Sequence, residues 1–348
     1  MGTIYARQNI EMDSLQNKRR RIIAIVAGGD SSEHDVSMRS AQGIYSFIDK
    51  EQYECYIIEI TRKRWQVLFD DGEKCEVNKA DFSFVLKGDV RVRPDFAYIT
   101  IHGAPGENGV MQGYFDLVGI SYSTSGVLVE ALTFNKYFLN QFLRPFGVNI
   151  ADSILVRKKQ KNQISEEKII ERLGLPCFVK PSSDGSSFGV TKVKTAGELA
   201  PAIQKAMEEC DEVMIEQFID GREITCGCYK TCKVERVFPI TEVVTDNEFF
   251  DYGAKYQGQV KEITPARISS QTSQRVSQLT SKLYDILNCQ GIIRIDYILS
   301  GTDGQETINL LEINTTPGMT ATSFIPQQVK VAGLTMGEVL SDIIENHF

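Results

Sequence analysis

Four polar side chains interrupt two apolar stretches near the carboxyl end of the chain. Arg294 and Asp296 lie in the first stretch, and Glu312 and Asn314 lie in the second. Because side chains two residues apart project from the same face of a strand, each pair is predicted to share one face. Carboxylate and amide oxygens gathered on one face are hard ligands, which suit Mg2+ shared with substrate phosphates. The alternative is that these four side chains form the solvent-exposed face of an ordinary hairpin.

The elements that must position these side chains are two strands of one β-hairpin. A turn centred near Gly304 joins Ile292–Leu299 to Thr307–Asn314, and it would place Asp296 opposite Glu312. A one-residue slip or a bulge would change this register. The apolar flanks, the converging acids and the polar segment that follows favour a metal and nucleotide site over a solvated face.

A second motif lies in the middle of the chain, where the predicted strand Pro176–Pro181 is followed by a loop rich in serine and glycine, 182–190. Such a loop lets backbone N–H groups and hydroxyls close over phosphate oxygens. Lys180 adds a positive charge at the root of the loop, which favours a nucleotide lid over an ordinary mobile hairpin. The next strand, 213–219, could meet an adenine edge, or it could be an ordinary edge strand.

The amino-terminal part is predicted to be a parallel α/β layer. Strands at Ile22–Ala27, Tyr53–Thr61 and Phe96–Ile101 alternate with a helix whose apolar face starts at Val36. The chain contains neither a GxGxxG nor a GxxxxGK[ST] motif, which disfavours dinucleotide-binding and P-loop classes. Glu33 follows the first strand, where α/β sheets place ligands, and is a candidate for binding an ammonium group. Its alternative role is to cap the helix.

Two further side chains are weaker candidates. His102 follows the third strand and could contact substrate, although a lone histidine is more often structural. Lys136 lies amid apolar residues in a predicted helix from Gly126 to Phe142, which hints at a nearby anion because buried lysine is rare without a partner. A lysine whose stem alone is buried is the alternative.

The composition limits the classes of protein to which this chain can belong. At 348 residues, two or three domains are expected, and 42% hydrophobic with 24% charged residues indicates a globular protein. The net charge of −8 argues weakly against a nucleic-acid partner. No apolar run reaches membrane-spanning length and no signal peptide is recognisable, so we expect a cytoplasmic protein without a membrane partner. Cys226, Cys228 and Cys232 are interpreted as buried thiols on one strand face rather than a metal cluster.

Six motifs together resemble the D-alanine–D-alanine ligases of the ATP-grasp superfamily, over residues from about 22 to 348. The matching motifs are Gly28-Gly29-x-Ser31-x-Glu33-His34-x-Val36-Ser37, His102-Gly103-x-x-Gly106-Glu107, Lys180-Pro181-Ser182 with Gly185-Ser186-Ser187-x-Gly189-Val190, Ala254-Lys255-Tyr256, Arg294-x-Asp296, and Glu312-x-Asn314-Thr315-x-Pro317-Gly318-Met319-Thr320.

The resemblance implies a fold of mixed α/β and α+β class, in which a parallel α/β domain precedes a two-domain ATP-grasp fold. We expect a flexible extension over 1–20, a substrate domain over 21–124, a central domain over 125–219 and a metal-binding domain over 220–348. The implied reaction ligates two D-alanine molecules through a D-alanyl phosphate, for peptidoglycan precursor synthesis. It uses ATP and two Mg2+ ions, for which Mn2+ could substitute. The family is usually dimeric, so a homodimer is expected.

By the same resemblance, each site residue acquires an expected role. The metal ligands are Asp296, Glu312 and Asn314. The ATP-binding residues are Lys136, Lys180, Ser187, Glu216, Gln217, Ile219, Glu223 and Lys255. Glu33 would hold the first ammonium within a network that includes Ser186 and Tyr256. Arg294 and the Gly318 N–H would form the oxyanion site, and Ser323 would hold the second carboxylate.

Two positions depart from the pattern, and two other functions stay open. Phe324 stands beside the second subsite where many relatives carry leucine, and Gln217 replaces a frequent lysine. Another ATP-grasp ligase would keep the metal hairpin but lack the network of Glu33, Ser186 and Tyr256. A nucleotide sensor without catalysis should have lost Arg294 or a metal ligand. The aromatic-rich segment 248–254 is predicted to be a closing loop, or else a surface loop.

Overall fold

The computed structural model describes residues 19–159, 165–183, 189–245, 260–302 and 304–348. Its α-helices are α1 His34–Phe47, α2 Val110–Val118, α3 Val127–Phe134, α4 Lys136–Leu143, α5 Glu166–Leu173, α6 Leu199–Glu209, α7 Ser270–Leu287, α8 Phe324–Val331 and α9 Met336–Glu345. Its first ten strands are β1 Arg21–Gly28, β2 Tyr53–Ile60, β3 Trp65–Leu68, β4 Lys74–Asn78, β5 Ser83–Leu86, β6 Val90–Val92, β7 Phe96–Ile99, β8 Ser121–Tyr122, β9 Asn149–Ile150 and β10 Ser153–Arg157. The others are β11 Cys177–Pro181, β12 Thr191–Val193, β13 Glu212–Gln217, β14 Arg222–Lys230, β15 Glu235–Val237, β16 Thr241–Thr245, β17 Val260–Ile263, β18 Ile293–Ser300 and β19 Thr307–Asn314.

The amino-terminal sheet has the strand order β6-β5-β4-β3-β2-β1-β7-β8. Strand β1 pairs in parallel with both β2 and β7, which confirms the predicted parallel layer. Every residue of β1 after Arg21 is buried, because helices cover both faces of a parallel sheet. Ile23 and Ile25 pack with α1 on one face, and Ile22 and Ala24 pack with α2 on the other.

Helix α1 is predicted correctly, and Ala41 and Ile44 of its expected apolar face are buried, but the start of that face differs from the prediction. Ser37 and Ser40 are buried, whereas Val36 is partly exposed. The Ser37 hydroxyl accepts a hydrogen bond from the Gly28 N–H and donates one to the Thr100 carbonyl oxygen, each at 2.8 Å. Ser37 therefore ties the start of the helix to the ends of two parallel strands, which fixes the loops that follow them.

The central sheet is antiparallel, in the order β10-β13-β11-β12. Its buried side chains pack against α5 and α6 in a core that includes Val179, Ile215, Leu173 and Leu199. A capping box of Thr195 and Glu198 starts the short 3-10 turn that leads into α6.

The carboxyl-terminal sheet follows the order β17-β16-β14-β18-β19-β9, with β15 beside β14. The prediction of one helix from Gly126 to Phe142 is wrong, because Asn135 interrupts it and separates α3 from α4. The Asn135 side chain accepts a hydrogen bond from the Phe138 N–H at 3.1 Å and so caps α4. Val129 of α3 and Leu139 of α4 pack into the core of the carboxyl-terminal sheet.

The last two helices of the chain pack against its first strand. Ile325 and Val329 of α8 and Val339 of α9 share one core with Ile23 and Ile25 of β1. The first sheet and the carboxyl-terminal sheet are therefore packed together through α8 and α9, which fixes the loops of one relative to the hairpin of the other.

The cysteines form no cluster, and the eight thiols are free. Cys226 and Cys228 are buried on β14, as predicted, but Cys232 lies beyond the end of the strand and is exposed. Placing all three on one buried face was wrong because β14 ends at Lys230 and the chain turns there. No helix among the described residues is long and apolar enough to cross a membrane.

Candidate active site

A cavity of about 1190 Å³ lies where residues from the three sheets meet. All fifteen of the predicted site residues that the structure describes line it: Glu33, His102, Lys136, Lys180, Glu216, Gln217, Ile219, Glu223, Arg294, Asp296, Glu312, Asn314, Gly318, Ser323 and Phe324. The other four predicted site residues, Ser186, Ser187, Lys255 and Tyr256, lie outside the described residues, as does the segment 248–254. Residues far apart in sequence are thus brought to one cavity.

The hairpin of β18 and β19 has the predicted register at its open end. Asp296 pairs with Glu312 and Arg294 pairs with Asn314 in the antiparallel ladder. The register shifts after Asp296, so that Tyr297 is opposite Leu310. This irregularity places an extra residue in β19 beside the polar face, where bulges commonly redirect side chains.

Charge on this polar face is closely balanced. Arg294 donates to both oxygens of Asp296, from Nε at 2.9 Å and from Nη2 at 2.8 Å. Burial alone would lower the pKa of Arg294, but the adjacent Asp296 carboxylate outweighs it and raises that pKa above its usual range. On the second strand, Lys136 Nζ lies 3.7 Å from Glu312 Oε2. Each carboxylate of the hairpin therefore has a cation beside it.

The hairpin offers a donor set that fits Mg2+. Asp296 and Glu312 supply carboxylate oxygens, and Asn314 lies close enough for its amide to donate to Asp296 Oδ2 at 3.1 Å. An all-oxygen set of this kind suits Mg2+ and leaves room for phosphate oxygens. Within the described ranges, no group of three or more His, Cys, Asp or Glu side chains gathers as a metal site, and the hairpin set itself consists of two carboxylates and one amide.

Lys180 and Glu216 form a buried ion pair on the central sheet. The Lys180 ammonium donates to Glu216 Oε2 at 2.6 Å, and the side chains are only 9% and 6% exposed. Asn140 lies at 3.5 Å from the other Glu216 oxygen. The sequence predicts both residues as ATP-binding, and it does not predict that they contact each other.

The loops after β1 and β7 form an acidic corner of the cavity. Glu33 precedes α1, and its side chain makes no capping hydrogen bond to that helix, which removes the main support for its alternative role. His102 is buried, and its Nε2 lies 3.1 Å from Ser40 Oγ. Burial lowers the pKa of His102, and the charge of Glu33 opposes that shift. His102 therefore remains neutral near physiological pH.

Glu107 is a member of the same corner that the site prediction omitted. Its Oε2 accepts a hydrogen bond from the Gly103 N–H at 2.8 Å. Desolvation and the nearby Glu33 raise the pKa of Glu107 to about 8. The only sequence signal was its place at the end of the motif that starts at His102, which did not by itself indicate a role.

The segment after β19 returns to the cavity and starts α8. The Ser323 hydroxyl accepts a hydrogen bond from the Thr320 N–H at 3.1 Å. A Cβ atom at Gly318 would lie 2.9 Å from that hydroxyl oxygen, so a larger residue there would displace the Ser323 side chain. The Arg294 guanidinium carbon lies 5.3 Å from the centre of the Phe324 ring, within range of a cation–π contact. Glu262, which the site prediction also omitted, lines the cavity and accepts a hydrogen bond from Gln327.

Two family profiles match the chain. One, described as D-ala D-ala ligase N-terminus, matches residues 22–125, and the other, D-ala D-ala ligase C-terminus, matches residues 142–345. A D-alanine–D-alanine ligase of Phocaeicola vulgatus is 62% identical over 329 residues, which cover 94% of this chain and 100% of that protein.

Solved structures agree with these matches. The VanG D-Ala:D-Ser ligase from Enterococcus faecalis is 28% identical, with a TM-score of 0.83 over 95% of this chain and 100% of that one. A D-alanine–D-alanine ligase from Bacillus anthracis complexed with ATP is 29% identical, with a TM-score of 0.73 over 94% of this chain and 97% of that one.

Proposed function

The chain belongs to the D-alanine–D-alanine ligase family, and we propose from that premise that it joins two D-alanine molecules at the expense of ATP. The reaction proceeds through a D-alanyl phosphate and supplies a precursor of peptidoglycan. The observation that carries the proposal is that one cavity holds the oxygen-rich hairpin, the lysines Lys136 and Lys180, and the acidic corner of Glu33.

The nucleotide end of the cavity is the part lined by the central sheet. Lys136 and Lys180 supply positive charge for phosphate oxygens, and Glu216, Gln217, Ile219 and Glu223 hold the adenosine. Lys180 is already paired with Glu216 at 2.6 Å, so its ammonium is directed before ATP arrives. Such preorganisation reduces the cost of binding. Ser187 and Lys255 are proposed to complete this part, by family resemblance.

Asp296, Glu312 and Asn314 would hold two Mg2+ ions, which supply charge neutralisation during phosphoryl transfer; Mn2+ is proposed as a substitute. Arg294 is held by Asp296 and faces the cavity, where it can stabilise negative charge that develops on the reacting carboxyl group. The Gly318 N–H assists it. Both groups are fixed by the fold, so little reorganisation is needed during the reaction.

The amino-acid end lies between the acidic corner and α8. Glu33 is proposed to hold the ammonium of the first D-alanine, within a network completed by Ser186 and Tyr256. His102, buried and neutral, shapes that pocket. Ser323, at the start of α8, would hold the carboxylate of the second D-alanine, and Phe324 would form the wall beside it.

The organisation of the protein is part of the proposal. We place the domain boundaries at 21–124, 125–219 and 220–348, after an extension over 1–20. We also propose a cytoplasmic homodimer, which has no need of a nucleic-acid or membrane partner. The dimer is supported by exposed apolar side chains on two adjacent helices: Val110 and Leu117 of α2, 59% and 88% exposed, and Leu128 of α3, 77% exposed. Isolated exposed apolar side chains are common, but three of them on packed helices favour a partner surface.

The test is phosphate release from ATP with Mg2+ and D-alanine, followed by product analysis. We expect release with D-alanine and the dipeptide as product, with buffer alone and L-alanine as controls. D-serine and D-lactate in competition with D-alanine test the second substrate. A product that is mainly the mixed dipeptide or the ester at neutral pH would overturn the substrate assignment. Release that does not depend on any amino acid would overturn the ligase function.

A further inference from the structure

A fully buried glutamate that does not line the cavity contacts the residue directly after the proposed metal hairpin. Glu130 lies in α3, its exposed fraction is 0%, and it does not line the cavity. The Thr315 hydroxyl donates to Glu130 Oε2 at 2.6 Å. Thr315 is itself only 3% exposed, and it follows Asn314 directly at the end of β19. No role proposed so far uses this glutamate.

We propose that Glu130 is a positioning residue for the metal site, which acts through Thr315 to fix the backbone between Asn314 and Gly318. This inference rests on the proposed function, because it assumes that Asn314 and Gly318 act in a metal-dependent ligase. Glu130 touches neither substrate nor metal in this scheme. It holds the segment that presents both groups.

The contact is well placed for that task. Thr315 is one residue after the proposed metal ligand and three residues before the proposed oxyanion donor. The chain leaves the sheet there, so no ladder hydrogen bond of β19 restrains it after Asn314. A short side-chain hydrogen bond to a helix that is packed against the same sheet replaces that restraint. Outer-shell contacts of this kind orient metal ligands in many proteins.

The corner of α3 and α4 reinforces the arrangement. Thr133, one turn after Glu130, has its hydroxyl 3.4 Å from that of Thr315 and donates to the Val129 carbonyl oxygen at 2.9 Å. Lys136, just past the break, reaches Glu312 at 3.7 Å. The same corner therefore contacts the proposed metal ligand Glu312 and, through Thr315, the residue directly after the proposed ligand Asn314.

The protonation chemistry of Glu130 is compatible with a structural role for its hydrogen bond to Thr315. Burial raises the pKa of Glu130 well above its usual range, whereas the Thr315 hydrogen bond lowers it and the charge of Glu107 raises it further. A neutral carboxyl group keeps an acceptor for Thr315 without placing a full charge in the interior.

The test compares Glu130→Gln, which keeps an acceptor oxygen and is neutral, with Glu130→Leu, which keeps the volume but removes the acceptor. Thr315→Val removes the same hydrogen bond from the other side. Each purified variant is first compared with wild type by thermal melting. The readouts are Mn2+·ADP affinity by calorimetry, hydrogen exchange of a peptide spanning 312–319, and kcat with KM for D-alanine.

We expect Glu130→Leu and Thr315→Val to weaken Mn2+·ADP binding and lower kcat by about 10- to 100-fold, the usual effect of losing an outer-shell partner. Exchange of the 312–319 peptide should be faster in the absence of any ligand, and KM for D-alanine should change by less than about threefold. Glu130→Gln should stay within about threefold of wild type. The double variant Glu130→Leu/Thr315→Val should be no worse than either single variant, because both remove one bond.

Glu312→Gln serves as the control for the proposed function on which the inference rests. If Glu312→Gln loses Mn2+·ADP binding while folded Glu130→Leu keeps it with unchanged exchange, the positioning role is wrong and the metal site stands. If Glu312→Gln binds normally, the metal assignment itself fails. Should Glu130→Leu not fold, Thr315→Val decides, since normal binding and exchange in that variant would also overturn the role.

Discussion

Lys180 and Glu216 form an ion pair between neighbouring strands β11 and β13, with 2.6 Å between Nζ and Oε2 and almost no exposure of either side chain. One member of such a pair cannot be removed cheaply, because the other charge is left buried without its partner. Both side chains nevertheless line the cavity, and each is proposed to contact ATP. The pair thus links the stability of the central sheet to nucleotide binding.

The first prediction separates these two effects. Glu216→Leu should destabilise the protein by about 3 kcal/mol, because it leaves the buried Lys180 ammonium without its carboxylate. The double variant Lys180→Met/Glu216→Leu should recover most of that stability, but it should still fail to bind ATP. The measurements are chemical denaturation and calorimetric titration with ATP. A double variant that binds ATP as wild type does would remove both side chains from the nucleotide site.

The Lys180 pair also shows where sequence reasoning stops. The strand and its loop predicted a positive charge at the root of a nucleotide lid, but they did not predict which side chain would pair with it. The identity of that partner depends on the register of β11 with β13, in which Phe178 is opposite Glu216 and Lys180 opposite Met214. No turn joins these two strands directly, so the pairing could not be counted from the sequence.

The register of the metal hairpin was easier to predict from the sequence, because a short turn joins its two strands. Asp296 opposite Glu312 was predicted and confirmed, whereas the shift after Asp296 was not located in advance. The break between helices α3 and α4 at Asn135 was not predicted from the sequence. The apolar pattern continues through it, and only its cap to Phe138 reveals that α4 starts anew. Glu130 was missed as well, since nothing local links it to Thr315.

The second prediction tests the hairpin directly. Glu312→Gln should keep the fold but lower kcat by about 100-fold or more, because losing a carboxylate there uncovers charge in the transition state. The measurement is the steady-state rate with Mg2+, checked by thermal melting. Glu208→Gln is the matched control, since it makes the same chemical change on the exposed face of α6. A folded Glu312→Gln variant with a near-normal rate would exclude the metal role.

The third prediction concerns stability and pH. The pKa of Glu107 is raised to about 8 in the folded protein, from about 4.5 when it is unfolded and solvated. The folded state therefore holds a proton that the unfolded state has lost between these values, so stability should fall as the pH rises from about 5 through 8. Each unit of pKa difference corresponds to about 1.4 kcal/mol. Because Glu107 keeps some solvent contact, we expect a loss of roughly 1–2 kcal/mol.

Denaturation of the ligand-free protein at pH 5.5 and pH 8.5 measures this effect. Glu107→Gln cannot ionise, so its stability should fall less than that of wild type between the two pH values. Glu51→Gln, a change at an exposed position, should follow wild type. Parallel curves for wild type and Glu107→Gln would show that Glu107 ionises normally in the folded protein.

The last prediction concerns Phe324, whose ring centre lies 5.3 Å from the Arg294 guanidinium carbon. Phe324 starts α8 directly after Ser323, so its ring is proposed to form one wall of the second D-alanine subsite while it packs on the oxyanion residue. Phe324→Ala removes both the wall and a cation–π contact worth about 0.5–2 kcal/mol. We therefore expect KM for the second D-alanine to rise by about 3- to 30-fold, with a smaller fall in kcat.

Phe324→Leu restores most of the wall without the π face, so it should recover KM better than kcat. The measurement is initial rate against D-alanine concentration at saturating ATP, with D-valine as a larger competitor that Phe324→Ala alone should accept. Equal KM values for D-alanine in wild type and Phe324→Ala would mean that Phe324 does not line the second subsite.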